Sequence, residues 1–82
     1  MAKMTGRVTT VNIERGYAIV TGDVDQRRYF CFVNYFDEMS YFRFEDLRGG
    51  EPVRFEPIEG PRGPRGVDVR ILGDGLATLD GM

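Results

Sequence analysis

The aromatic side chains of Tyr17 and Phe32, each on a predicted strand, are the most chemically suggestive feature of this 82-residue sequence. In two predicted strands, alternation places Tyr17 and Ile19 on a common face, and likewise Phe32 and Asn34. Aromatic rings on a flat sheet can stack on unpaired nucleobases, which is worth roughly 1–3 kcal/mol per base. Tyr17 and Phe32 could instead form a cross-strand pair that merely covers the sheet, so both interpretations stay open.

Arginine supplies ten of the 11 basic residues. Its planar donor fork suits phosphate and base contacts, but it suits surface ion pairs equally well. Arg15 and Arg62 flank predicted strands and are the two candidates for ligand contact. For Arg27 and Arg28, which follow two aspartates in the same loop, local ion pairing is the favoured interpretation.

The residues that are missing exclude most catalytic chemistry. The chain has no histidine and a single cysteine, Cys31, so zinc fingers, histidine-based triads and internal disulfides are excluded. The acidic pairs at 37–38 and 45–46 are typical of solvated loops, and GPRGPRG lacks the lysine and hydroxyl residue of a phosphate-binding loop. We therefore expect no enzyme, no catalytic residue, no cofactor and no metal site.

The pattern of apolar residues predicts an all-β fold. Apolar periodicity near 3.6 is absent, and short β-branched or aromatic runs alternate with turn residues. Strands are predicted at about residues 4–11, 17–21, 29–34, 52–59 and 67–72, which is the number found in a small, partly open barrel. Two prolines make the fourth strand an edge or bent strand, and the Gly- and Pro-rich stretch 60–66 is predicted to be irregular.

The connections and ends of the chain carry further expectations. In the long crossing, residues 35–50, Phe44 and Leu47 could anchor a short 3₁₀ turn. Residues 1–72 are predicted to form the domain and 73–82 a flexible tail. No segment resembles a signal peptide or a membrane span. The candidates for apolar support are Val8, Val20, Val33, Val53, Phe55, Val67, Val69 and Ile71.

The order of motifs resembles the bacterial cold-shock proteins and cold-shock domains from about residue 4 to residue 72. The similarity is carried by Gly6-x-Val8 leading to Asn12, then RGYAIV at 15–20, CFVNY at 31–35, FEDLRGG at 44–50, Val53-x-Phe55 and GPRGP at 60–64. The resemblance implies a five-stranded antiparallel barrel of the oligonucleotide-binding type that binds single strands across its first three strands.

The resemblance also implies which residues contact nucleic acid. Tyr17, Ile19, Phe32 and Asn34 would point outward, while Val8, Ala18, Val20, Cys31 and Val33 point inward. Tyr35 and Phe44 would either extend the outward surface from the crossing or pack back as a lid on the core. Thr9, Thr10, Ile19 and Asn34 depart from the family, which has lysine, tryptophan, phenylalanine and histidine there. Two lost rings would weaken binding about thirtyfold. The predicted nucleic-acid-binding set is Arg15, Tyr17, Phe32, Asn34, Tyr35, Phe44 and Arg62.

Two functional hypotheses follow. The first is a cytoplasmic binder of single-stranded RNA or DNA with modest affinity and low sequence specificity, similar to an RNA chaperone. The second is a protein-interaction module that engages a partner of the nucleic-acid machinery through the aromatic and acidic loop 35–46. The net charge of −2 and the departures on the first two strands favour the second hypothesis, and the retained contact residues favour the first. Neither hypothesis includes a membrane or a small-molecule substrate.

Overall fold

Short β-branched and aromatic runs form the five strands of the barrel, and three of the four connections between them contain glycine or proline. The computed structural model describes residues 3–72, so the predicted tail at 73–82 lies outside the described residues. The strands are β1 (Met4–Asn12), β2 (Tyr17–Gly22), β3 (Arg28–Phe32), β4 (Pro52–Gly60) and β5 (Gly63–Ile71). The crossing between β3 and β4 contains one short helix, α1 (Glu38–Tyr41), and 3₁₀ turns at Val33–Tyr35 and Phe44–Asp46.

The strands close into a barrel in the order β1-β2-β3-β5-β4. This confirms the prediction of an all-β, five-stranded barrel consistent with the oligonucleotide-binding type, although the barrel is closed rather than partly open. The predicted antiparallel arrangement holds for four of the pairings. The exception is the parallel contact of β3 with β5, where Phe30 faces Arg65. Within residues 3–72, no helix is long and apolar enough to span a bilayer.

Gly6 lies where β1 pairs with two strands at once. It faces Gly22 on β2 and Val53 on β4. A Cβ at Gly6 would lie 2.5 Å from the backbone oxygen of Thr21 and 2.7 Å from Cγ1 of Val20. The barrel closes tightly here because this position carries no side chain.

The strand alternation predicted from the sequence separates the core from the outer face. On β2, Ala18 and Val20 are completely buried, while Tyr17 and Ile19 are half-buried on the opposite side. Six of the eight predicted apolar residues are in the core; Val33 packs against it and Val67 is half-buried. The core consists of Val8, Ala18, Val20, Tyr29, Cys31, Phe36, Phe44, Leu47, Val53, Phe55, Val69 and Ile71.

Cys31 is a core residue rather than a reactive group. Its side chain is fully buried, and burial raises the pKa of its thiol to about 12. A thiol with such a pKa stays protonated near neutral pH, so Cys31 contributes to packing and presents no nucleophile.

The prediction that residues 60–66 are irregular is wrong, because β5 begins at Gly63. Gly60 faces Gly63 and Glu59 faces Pro64, so a two-residue turn at 61–62 joins β4 directly to β5. Gly66 is required inside the sheet, since a Cβ there would lie 2.7 Å from Sγ of Cys31. Glycine therefore serves packing here rather than interrupting the strand.

The fourth strand is bent as its two prolines predicted, but it is not an edge along its whole length. Its first half, residues 52–55, pairs with β1. Its register against β5 shifts between Arg54 and Glu56. Beyond Phe55 its recorded pairing is with β5 alone, so the missing donor of Pro57 lies in the half with one neighbour.

The long crossing is attached to β5 through Asp37. Its carboxylate accepts a hydrogen bond from the Ser40 backbone N–H at 2.9 Å, capping α1, and pairs with Arg70 Nε at 2.9 Å. Burial opposes ionisation of this carboxyl, but the hydrogen bonds from Ser40 and Arg70 outweigh burial and lower its pKa. Later in the crossing, a 3₁₀ turn forms at Phe44–Asp46 as predicted, and Phe44 and Leu47 are buried around it.

Candidate nucleic-acid interface

Three aromatic rings on β2 and β3 form one cluster, which we call the aromatic platform: Tyr17, Phe30 and Phe32. Tyr17 faces Phe32 across the strands, and Phe30 faces Ile19. The rings of Tyr17 and Phe30 are stacked, with centroids 4.6 Å apart and planes inclined by 21°. Phe32 meets both rings edge-on, at 6.3 Å from Tyr17 and 5.3 Å from Phe30. The platform thus lies on the outer side of the barrel wall.

The predicted convergence of Tyr17 and Phe32 on one outward face is confirmed. Both rings are half-buried against their neighbours, and neither belongs to the core. Ile19 lies on the same face and is also half-buried. A cross-strand aromatic pair that only covers the sheet would show the same contact. The geometry is therefore compatible both with stacking on bases and with covering the sheet.

Phe30 is the platform residue that the sequence prediction missed. It is 36% exposed and contacts both other rings. Its signal was present in the sequence, because residues two positions apart on a strand share a face and Phe32 was already predicted to point outward. The matching motif begins at Cys31 and therefore does not include Phe30.

The side of the platform next to β1 carries neutral polar groups. Thr10 is exposed and faces Ile19, while Asn12 faces Tyr17. The Asn12 amide donates a hydrogen bond to the Tyr17 hydroxyl at 3.4 Å. The hydroxyls of Thr9 and Thr21 are 2.8 Å apart. This β1 edge can therefore offer hydrogen bonds but no positive charge.

The opposite side of the platform carries three arginines, which we call the arginine edge: Arg28, Arg62 and Arg65. They line a groove of about 430 Å³ together with Phe30 and Phe32. Cζ of Arg65 lies 5.5 Å from the centroid of the Phe32 ring, within the range of a cation–π contact. The parallel pairing of β3 with β5 brings these charges beside the rings.

The predicted local ion pairing of the two arginines in the β2–β3 loop is wrong. The Arg27 side chain pairs with Glu59 across the barrel, Nη1 to Oε2 at 3.0 Å. Asp25 instead accepts hydrogen bonds from the Tyr29 hydroxyl at 2.5 Å and the Arg27 backbone N–H at 3.0 Å, and the Tyr29 bond is the main reason that its pKa is lowered. Across residues 3–72, no carboxylate forms a salt bridge with Arg28.

The structure does not join every predicted residue to the platform. Arg15 is exposed in the β1–β2 turn, where its backbone N–H donates to the Asn12 side chain. Asn34 is exposed but follows the end of β3, so its predicted place on the third strand is wrong: the chain turns into a 3₁₀ segment after Phe32. Tyr35 belongs to that segment and is 49% exposed.

Phe44 was predicted to point outward, and this is wrong. It is only 4% exposed, and its ring meets the ring of Phe36 edge-on with centroids 5.3 Å apart. The neighbouring Phe42 is 74% exposed instead. One face of the 3₁₀ turn must close the end of the barrel, and Phe44 is the ring that lies on that face.

A second groove lies between the β1–β2 turn and the crossing. Its volume is about 350 Å³, and its apolar walls include Ile13, Tyr41 and Phe42, with Glu45 at the same site. The rings of Tyr41 and Phe42 meet edge-on at 5.6 Å. This groove contains an acidic residue and no arginine in its lining, unlike the groove beside the platform.

Comparison with known proteins gives one relevant similarity. No protein-family model matches the chain. The chain is 29% identical over 69 residues to the Cold shock-like protein of Aquifex aeolicus (strain VF5), which covers 84% of this chain and 94% of that protein. The chain is therefore similar to a cold-shock protein over most of its length. In this chain, the aromatic platform lies on β2 and β3, flanked by the β1 edge and the arginine edge.

Proposed function

We propose that this divergent cold-shock domain is a cytoplasmic, non-enzymatic protein that binds single-stranded RNA or DNA with low sequence specificity. The observation that carries the proposal is the outward cluster of Tyr17, Phe30 and Phe32 beside arginines that form no salt bridge within residues 3–72. Rings offer stacking surfaces to bases, and arginines offer forked donors to phosphates. The rings and the arginines together match the base and the phosphate of a nucleotide.

Stacking explains both the low specificity and the modest affinity that we propose. Every base has a π face, so a ring that stacks on bases accepts all of them. The β1 edge presents Thr10 rather than a further ring beside Ile19, so three rings carry the stacking. At roughly 1–3 kcal/mol per stacked base, the platform supports short single strands held reversibly.

The same magnitudes support a chaperone-like activity. A stacked step in a DNA duplex is worth about 1.4 kcal/mol on average, comparable to one base held on an aromatic ring. Capturing two or three unpaired bases therefore offsets the loss of a few weak base-pair steps. Such a protein would open weak hairpins and leave long duplexes intact.

Fluorescence anisotropy with labelled oligothymidine and oligouridine at low salt tests the proposal. The parent protein should bind both strands, and the double variant Tyr17→Ala with Phe32→Ala should lose detectable binding while its circular dichroism spectrum is unchanged. Phe42→Ala is the matched control, because it removes an exposed ring away from the platform. Unchanged affinity of the double variant would exclude platform stacking, and no binding of either strand at millimolar concentration would exclude the function.

The second groove favours a second candidate function, a protein-interaction module. Phe42 at 74% exposure, with Tyr41 and Glu45 at the same groove, suits an apolar segment that carries positive charge. We expect NMR signals of Tyr41 and Phe42 to shift on addition of a short basic amphipathic peptide if this candidate is correct. Shifts confined to the platform on addition of oligothymidine would favour the first function.

A further inference from the structure

The two edges of the aromatic platform differ in charge. The β1 edge presents Thr9, Thr10 and Asn12, which are neutral, and the nearest basic residue on that strand, Arg7, donates to the backbone oxygen of Gly50 at 3.0 Å. The arginine edge presents Arg28, Arg62 and Arg65 in one groove. A bound polyanion would therefore meet three clustered arginines on one side of the rings, whereas on the other side Arg7 lies on β1 opposite Thr21 and Arg15 lies in the β1–β2 turn.

Among residues 3–72, no salt bridge joins an arginine of this edge to a carboxylate. The salt bridges recorded within residues 3–72 join other basic residues, namely Lys3, Arg27 and Arg70, to their acids. Glu59, which precedes the β4–β5 turn, is paired with Arg27. The guanidinium charges of the arginine edge are thus available to a ligand rather than paired in these salt bridges.

Arg65 is held toward the rings by its surroundings. Its side chain crosses the β4–β5 hairpin beside Gly60, where a Cβ would lie 3.1 Å from Nε of Arg65 and 3.3 Å from its Cδ. The guanidinium then reaches Phe32, with Cζ 5.5 Å from the ring centroid. Because Gly60 has no side chain, the Arg65 side chain can lie in this space. The hairpin therefore determines where the Arg65 guanidinium lies.

We propose that the phosphodiester backbone of a bound single strand runs along the arginine edge, with its bases lying across the platform toward the β1 edge. Arg28, Arg62 and Arg65 contact phosphates in this arrangement. The hydroxyl of Thr10 and the amide of Asn12 face the base edges instead. Of these three arginines, the family resemblance implied only Arg62; Arg28 and Arg65 are assigned from the groove and from the parallel β3–β5 pairing. The inference rests on the proposed function.

The salt dependence of oligothymidine binding tests this arrangement. Each phosphate neutralised on a single strand contributes a slope of about 0.7 in log affinity against log salt. Replacing all three arginines by glutamine should therefore reduce the slope by about 2, and each single replacement should reduce it by about 0.7. Arg54→Gln is the control, because it removes the same charge from an exposed position on β4 away from the platform groove.

A second variant and a second ligand separate phosphate contact from other effects. Arg65→Lys keeps the charge and should keep the parent's slope of log affinity against log salt. A reduced slope in this variant would assign Arg65 to stacking and overturn its phosphate role. A methylphosphonate strand, whose backbone is uncharged, should bind the parent and the triple glutamine variant equally. If the triple variant binds oligothymidine with the parent's slope, the arrangement is wrong while the proposed function stands. If the parent binds no strand, both fail.

Discussion

Phe30 determines how the aromatic platform is built, because it is the ring that touches both of the others. It stacks on Tyr17 at 4.6 Å and meets Phe32 at 5.3 Å. Alternation along β3 could have identified it from the sequence, whereas the burial of Phe44 could not have been predicted in this way. The segment 42–46, which contains both Phe42 and Phe44, is too short to show a periodicity that decides which ring enters the core.

Removing the Phe30 ring should weaken strand binding without unfolding the protein. Phe30→Ala loses one stacking surface worth roughly 1–3 kcal/mol, so the dissociation constant for oligothymidine should rise about 5- to 150-fold. Anisotropy titration measures this change, with Phe42→Ala as the unaffected control. An affinity equal to that of the parent would show that Phe30 only covers the sheet.

Adding a ring at Thr10 should strengthen binding. Thr10 is exposed on the platform face and opposite Ile19, where a tryptophan would extend the row of rings onto β1. Thr10→Trp should lower the dissociation constant by about tenfold, given roughly 1–3 kcal/mol per stacked base. The sequence contains no other tryptophan, so quenching of its fluorescence reports binding directly. Val24→Trp, in an exposed loop, should show neither effect.

At the scale of secondary-structure elements, the sequence predicted what depends on neighbours along the chain. Strands β1, β2 and β4 begin where the apolar runs and turns placed them. The start of β5 inside a Gly- and Pro-rich stretch was not predictable, because Gly66 is needed by Cys31 and Phe55 on other strands. The position of Arg65 beside the rings likewise depends on a pairing between β3 and β5 that no local pattern contains.

Position 6, where β1 pairs with both β2 and β4, should tolerate no side chain. In Gly6→Ala, the new Cβ would approach the Thr21 backbone oxygen to 2.5 Å, and a backbone atom cannot move aside as a flexible side chain can. We expect a loss of about 1–3 kcal/mol in the free energy of unfolding, measured by urea denaturation. Gly50→Ala tests backbone conformation without crowding, since Gly50 has a φ of +90° and no atom within 4 Å of its Cβ position.

The attachment of α1 should depend on pH through Asp37. Its lowered pKa means that the ionised carboxylate stabilises the fold above its ordinary pKa of about 3.9, and this contribution is lost as pH falls through the lower folded-state value. Asp37→Ala removes the helix cap and should cost about 1 kcal/mol near pH 7. Its exposed partner Arg70 adds little. Urea denaturation should show a smaller difference between variant and parent near pH 2; an undiminished difference would contradict the role of the charge.

At the scale of the whole molecule, the last strand completes the barrel by contacting both β3 and β4. The chain therefore has to reach Ile71 before the β3–β5 and β4–β5 pairings can all form. The β4–β5 pairing is a local hairpin, whereas Phe30 and Arg65 of the β3–β5 pairing lie far apart in sequence, and such non-local pairings slow folding. The order of motifs in the sequence was sufficient to predict this architecture, even though it did not predict the closed, partly parallel pairing.

A chain ending at Leu72 should behave as the complete domain. Its backbone N–H bonds to the Pro52 oxygen at 2.9 Å, so truncation there retains the final recorded link between β5 and β4. We expect the 1–72 chain to keep the melting temperature and the oligothymidine affinity of the full chain. A chain ending at Gly66 should not fold, because it lacks Val69 and Ile71 from the core. Loss of affinity in the 1–72 chain alone would assign a binding role to the final ten residues.

Alternation on β2 and β3 gives each of these strands two independent sets of side chains. Ala18, Val20 and Cys31 maintain the interior, while the rings occupy the other surface of the same segments. Substitutions among the outer residues can therefore accumulate without threatening the fold. The scaffold can exchange one ligand for another, or lose its ligand altogether, while still being produced as an intact protein, which makes it a favourable starting point for directed evolution of new binding specificities.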